Sequence, residues 1–63
     1  MFFAVLEYNG NDFLGATYFN DLMECMKFVE HVNALRNSYL IVEKHFHDKD
    51  GCTDYEIIWE SEE

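Results

Sequence analysis

Apolar positions along the chain keep three different rhythms. Residues 2–8, Phe-Phe-Ala-Val-Leu-Glu-Tyr, form an aromatic and aliphatic run too short for a buried helix. A run that is apolar toward both sides predicts a strand in the middle of a sheet. Tyr8-Asn9-Gly10-Asn11-Asp12 interrupts it with a hairpin signal, Asn-Gly, whose two residues tolerate positive φ. Residues 13–19 predict a second strand, in which Gly15 marks a bulge; if that strand fails, the stretch is an ordered loop. From about 21 to 37 the period lengthens. At 100° per residue Leu22, Cys25, Met26, Phe28, Val29, Val32 and Leu35 fill one half of a helical wheel. Asn20 or Asp21 suits the N-cap, and Glu24 three residues after Asp21 has the form of a capping box. Residues 39–47 and 52–60 then return to alternation and predict two more strands around Asp48-Lys49-Asp50-Gly51.

The element order is therefore strand, strand, helix, strand, strand. It predicts an α+β fold: a small antiparallel sheet, ββαββ, or βαββ if 13–19 is loop, with one helix packed on one face. Residues 1–63 read as a single domain with Ser61-Glu62-Glu63 as an acidic, solvated tail. A four-residue turn at Asp48–Gly51 sets Leu40 opposite Trp59, Ile41 opposite Ile58, Val42 opposite Ile57, Glu43 opposite Glu56, His45 opposite Asp54 and His47 opposite Cys52. That register turns Tyr55, Ile57 and Trp59 inward, and Phe2, Phe3, Phe28 and Phe46 join them as core candidates. Tyr8, Tyr18 and Tyr39 are the aromatic residues expected at the surface. No second helix exists to cover the other face, which is expected to carry Tyr39, Ile41, Glu43, His45, Asp54, Glu56, Ile58 and Glu60, plus one side of the first hairpin.

Composition changes the picture in two ways. With 49% hydrophobic and 17% aromatic residues, no proline and three glycines in 63 residues, the chain is made to fold rather than to remain disordered. So short a chain buries only roughly 60% of the surface its unfolded form exposes, so close packing, self-association or a bound partner must supplement the core. Charge is the second change. Thirteen carboxylates against four Lys/Arg give a formal net charge of −9. Such a surface repels nucleic acid and anionic lipid and attracts basic proteins. Four scattered cations, Lys27, Arg36, Lys44 and Lys49, make no nucleic-acid-binding patch. No apolar run is long enough to span a membrane. The start Met1-Phe2-Phe3-Ala4-Val5-Leu6-Glu7 lacks the cationic region of a signal peptide, which points to a cytoplasmic protein with Cys25 and Cys52 as reduced thiols.

Several clusters carry chemistry-bearing side chains, and each also has a plain surface role. Asp54, Glu56, Glu60 and Glu62 alternate along one edge of the chain, with Ile58 in the middle. Alternate strand residues sit roughly 6.6–6.8 Å apart, about two steps of the roughly 3.4 Å phosphate spacing of one DNA strand. Such a row could imitate a phosphate backbone, or simply be the solvated side of a sheet. An apolar centre, Ile41 and Ile58, inside a charged rim also has the make-up of a protein interface. His45, His47 and Cys52 offer zinc-type ligands near Asp48, but at a spacing that matches no standard zinc motif. Asp48–Gly51 lacks the later ligands of a calcium loop. Cys52 near His47 would sit at a hairpin tip without an oxyanion hole, and Cys25 faces the core away from His31. No catalysis and no cofactor are expected.

The run Leu14-Gly-Ala-Thr-Tyr-Phe-Asn-Asp-Leu-Met-Glu-Cys25-Met26 resembles a pattern of small, mostly uncharacterised phage proteins, in which a short hairpin leads through a phenylalanine into a helix carrying Glu-Cys. That resemblance implies a phage-type origin and a role through binding, such as inhibition or modulation of a host enzyme. The expectation is a small acidic protein-binding module that docks on a basic surface, with nucleic-acid machinery as the partner class, through Tyr39, Ile41, Glu43, Asp54, Glu56, Ile58 and Glu60. The alternative is a structural homo-oligomer, a homodimer in its simplest form, packed through the open sheet face or an edge.

Overall fold

The computed structural model describes residues 1–36 and 38–61. It contains β1 (Phe2–Asn9), β2 (Asp12–Phe19), α1 (Leu22–Leu35), β3 (Tyr39–His47) and β4 (Thr53–Glu60). The α+β class and the ββαββ order read from the sequence hold, and residues 13–19 are strand. The four strands form one antiparallel sheet in the order β2-β1-β3-β4. β1, apolar to both sides, takes a central place, which its composition suits but does not by itself fix against an edge position. The first hairpin turns on Gly10 and Asn11, with Asn9 opposite Asp12. Gly10 alone has positive φ (63°), so the turn places the glycine first, one residue later than an Asn-Gly pair would.

Helix α1 starts at Asp21, whose Oδ2 accepts a hydrogen bond from the Glu24 N–H at 3.3 Å. It ends with the Arg36 N–H on the Val32 carbonyl. Cys25, Val29 and Val32 pack onto Phe3, Val5, Leu40 and Val42, and these seven are 0–5% exposed. Burying one such aliphatic side chain contributes about 1.5–3 kcal/mol. Phe19, Met26, Phe28 and Trp59 close the margin of this core. Leu22 and Leu35, expected on the buried half of the wheel, lie at the two ends of the helix and are exposed. Arg36 clasps the helix end to β1: its Nη1 donates to both Glu7 carboxylate oxygens, at 2.9 and 3.2 Å.

The β3–β4 hairpin departs from the expected register, and Asp48 is the reason. Its Oδ1 accepts from the N–H groups of Asp50 and Cys52, both at 2.9 Å. Its own N–H donates to the Cys52 carbonyl, and Gly51, at φ 80°, donates to the Asp48 carbonyl. The loop is thus the three residues Lys49–Gly51 with a left-handed glycine last, not the four-residue turn. A slip of one residue sends every side chain of a strand to the other face. His47 consequently lies opposite Thr53, His45 opposite Tyr55, Lys44 opposite Glu56 and Glu43 opposite Ile57. A bulge then intervenes. Val42 pairs with Trp59 and Ile41 with Glu60, leaving Ile58 as the extra residue. Trp59 is inward as expected, whereas Tyr55 and Ile57 are outward.

Ser61, expected in a solvated tail, belongs to the fold. It is 8% exposed, its Oγ accepts from the Leu40 N–H at 2.8 Å, and its own N–H donates to the Leu40 carbonyl. Glu62 and Glu63, the rest of that tail, lie outside the described residues, as does Asn37 near the helix end.

Candidate interaction face

One helix covers one face of the sheet. Alternation along the strands sends Phe2, Leu6, Tyr8, Phe13, Tyr18, Tyr39, Ile41, Tyr55 and Ile57 to the other, with Ala4 and Ala16 between them. Their rings form two rows. At one end Tyr18 meets Phe2 edge-on (5.8 Å between centroids), Phe2 stacks on His45 (4.6 Å, 7° between planes), and His45 stacks on Tyr55 (5.5 Å, 23°). This row crosses all four strands. At the other end Phe13, Tyr8 and Tyr39 follow one another at 5.4 and 6.4 Å. Offset and edge-on ring pairs at such distances are attractive and hold the rings in place. Even so, Tyr18 is 65% exposed, Phe13 57%, Tyr55 54% and Ile57 49%.

Among the described residues, two carboxylates stand on this face. Glu43 Oε1 and His45 Nε2 are hydrogen-bonded at 3.0 Å. Glu60 accepts from the Tyr39 hydroxyl. The chain's cations lie elsewhere: Lys27 on the helix exterior near Glu24, Arg36 on Glu7, Lys44 on the helix side of the sheet and Lys49 in the hairpin loop.

Of the residues singled out from sequence, Tyr39, Ile41, Glu43 and Glu60 share this face. Asp54 and Glu56 do not: opposite Phe46 and Lys44, they lie on the helix side. Ile58, at the bulge, turns to that side as well. The carboxylates of β4 are therefore split between two sides of the sheet, and no continuous ladder of phosphate-like pitch exists among Asp54, Glu56 and Glu60. Tyr55 and Ile57, expected inward, and Phe2, a core candidate, lie on this face instead, while Leu6, Tyr8, Phe13 and Tyr18 are the side of the first hairpin expected here. The sequence carries no signal for the bulge, since Leu40-Ile41-Val42 is as apolar as Ile57-Ile58-Trp59 and has no extra residue.

On the helix side, α1 leaves the β4 margin uncovered. A groove of about 670 Å³ opens there among Leu22, Met26, Ile58 and Trp59, with Lys44 and Glu56 at its rim. Among the described residues no three of His, Cys, Asp and Glu converge as a metal site. His47 and Cys52 sit beside the hairpin loop while His45 is held between rings. Cys25 and Cys52 are both free thiols, one buried on α1 and one exposed. Burial pushes the Cys25 thiol pKa up, which keeps it protonated and unreactive. No helix among the described residues is long and apolar enough to cross a membrane. Comparison with protein-family models, with curated proteins and with solved structures finds no match to this chain.

Proposed function

We propose that this chain is a small acidic protein-binding module that docks on a basic protein surface through the helix-free face of its sheet. One observation carries the reading: that face combines two rows of half-exposed rings with the carboxylates of Glu43 and Glu60 and has no Lys or Arg. Ring faces attract guanidinium and ammonium groups by about 0.5–2 kcal/mol each, and a carboxylate between them adds a charge-assisted acceptor. The formal net charge of −9 steers a basic partner toward the module from any side. No catalytic step is needed for this role. The phage-type resemblance extends the proposal to modulation or inhibition of a host protein, with nucleic-acid machinery, rich in basic surfaces, as the partner class. The working residues are then Tyr39, Ile41, Glu43, Glu60, Tyr55 and Ile57.

The surface total favours a covered face. The molecule exposes 4744 Å², whereas a monomer of 7.5 kDa exposes about 4,250 Å² by the usual scaling. It is a slab 17 Å through its thinnest dimension, with a radius of gyration of 12.3 Å against about 11 Å for a chain of this length.

A capture experiment with paired variants tests the proposal. Nuclease-treated lysate is passed over the wild type, Glu60→Arg and, as a control on the helix exterior, Glu30→Arg. A discrete partner held at low salt, released at high salt, lost with Glu60→Arg and kept with Glu30→Arg is the expected result. A partner indifferent to Glu60→Arg, or to salt, contradicts it.

A further inference from the structure

The sheet has two edges, and they are made differently. Edge strand β4, Thr-Asp-Tyr-Glu-Ile-Ile-Trp-Glu, carries three carboxylates and the Ile58 bulge. Charges and bulges are what keep exposed edges from pairing with other strands. Edge strand β2, Asp-Phe-Leu-Gly-Ala-Thr-Tyr-Phe, has one charge, at its turn end, and no Lys or Pro. Its own bulge, at Leu14, lies toward the turn and leaves Gly15–Phe19 in regular pairing with β1. Five uncharged residues thus present an open row of backbone N–H and C=O groups. The regular part of β2 is an unguarded edge in a chain whose other edge is guarded.

We infer that β2 pairs with β2 of a second copy of this chain, joining two sheets into one of eight strands about a two-fold axis at Thr17. The occupant follows from the strand's own self-complementarity. For the two sheets to share their faces, a residue must meet one of the same parity, so the axis passes through a residue and not between two. Centring on Thr17 uses all five regular residues. It sets Thr17 against Thr17, Ala16 against Tyr18 and Gly15 against Phe19. Each large ring then faces a small residue, and the glycine gains an aromatic cover of the kind that stabilises strand glycines. Asp12, the strand's only charge, lies beyond the paired segment, so no like charges meet. A foreign strand would gain the same backbone bonds without this matching of large to small. The pairing leaves the helix-free faces of both copies open and makes them continuous, so it stands apart from the docking proposed above.

Sedimentation equilibrium and native mass spectrometry across a wide concentration range test it. The wild type is expected at twice the chain mass at high concentration, with a melting temperature that rises with concentration. Thr17→Lys places two ammonium groups face to face on the axis and is expected to be a monomer with an unchanged circular dichroism spectrum. It moves the net charge toward zero, so general repulsion cannot explain that loss. Tyr55→Lys, on the far strand, keeps the dimer. As a second probe, Thr17→Cys in a Cys52→Ser background forms an intermolecular disulfide on mild oxidation, because directly opposed strand residues lie about 4.5–5.5 Å apart at Cα. A wild type that is monomeric throughout overturns the inference. So does a dimer that survives Thr17→Lys, or one lost with Tyr55→Lys instead.

Discussion

The two faces of one sheet have been built by different rules. Under α1, Phe3, Val5, Leu40 and Val42 meet Cys25, Val29 and Val32 at 0–5% exposure. On the other side, Tyr18, Phe13 and Tyr55 stand at 54–65% exposure and Ile57 at 49%, with no layer over them among the described residues. Phe2 and Phe3, and likewise Ile41 and Val42, are chain neighbours on opposite sides of the sheet, so local propensity alone does not account for the contrast. Aliphatic side chains fill a closed space without polar atoms to satisfy. Tyr and His bring an apolar body and a polar tip, which suits a surface that is wet until it is covered. The first face stabilises the fold, and the second leaves its rings half exposed.

The sharpest way to break this contrast is to truncate one residue on each side. Leu40→Ala should cost about 2–5 kcal/mol, much of the roughly 3–9 kcal/mol expected for a domain of this length, and leave the chain largely unfolded. Tyr55→Ala should cost under about 1 kcal/mol. Urea titrations followed by circular dichroism give both numbers, and equal losses would mean the faces are not distinct. Next in size is Ser61→Ala. It removes the acceptor of the buried Leu40 N–H and should cost about 1–3 kcal/mol, which a solvated tail residue would not.

A smaller effect sharpens the helix side. The Ser38 hydroxyl and the Arg36 guanidinium, outweighing partial burial, hold the Glu7 carboxyl below its ordinary pKa. A lowered folded pKa adds stability that is present above the unfolded pKa, about 4.3, and is lost as pH falls through the folded value. Glu7→Gln should therefore narrow the stability difference between pH 6 and pH 3 by a few tenths to about 1 kcal/mol, since Arg36 is largely exposed. Unfolding midpoints at the two pH values measure it. The smallest effect is expected at Lys27→Ala. Its contact with Glu24 spans 4.0 Å with both side chains 66% exposed, and the loss should stay within about 0.5 kcal/mol.

The same contrast explains how much could be read from the chain. Periodicity was enough for five elements, because the helix-side pattern of Cys25, Val29 and Val32 and the central run of β1 are direct signatures of burial. The face of β4 was misread, because the Asp48 side chain shortens the hairpin loop by one residue and a side chain's hydrogen bonds leave no trace in hydrophobic alternation. Asp54-Tyr55-Glu56-Ile57 alternates equally well in either register, so the pattern could not choose between them. The Ile58 bulge then restored Trp59 to the core, which made the wrong register look right at that end. The candidate site suffered accordingly: Glu43, Glu60, Tyr39 and Ile41 were found from sequence, while the aromatic rows, assembled from all four strands, needed the strand order.

The central claim is that the helix-free face, and not the more numerous carboxylates elsewhere, receives cationic groups. Backbone amide NMR during titration with a short arginine-containing peptide tests it directly. The account predicts shifts concentrated at Phe2, Tyr18, Glu43, His45, Tyr55 and Ile57, weakening with salt. Shifts concentrated at Glu24, Glu30, Asp50 and Asp54, with the aromatic rows unmoved, would contradict it.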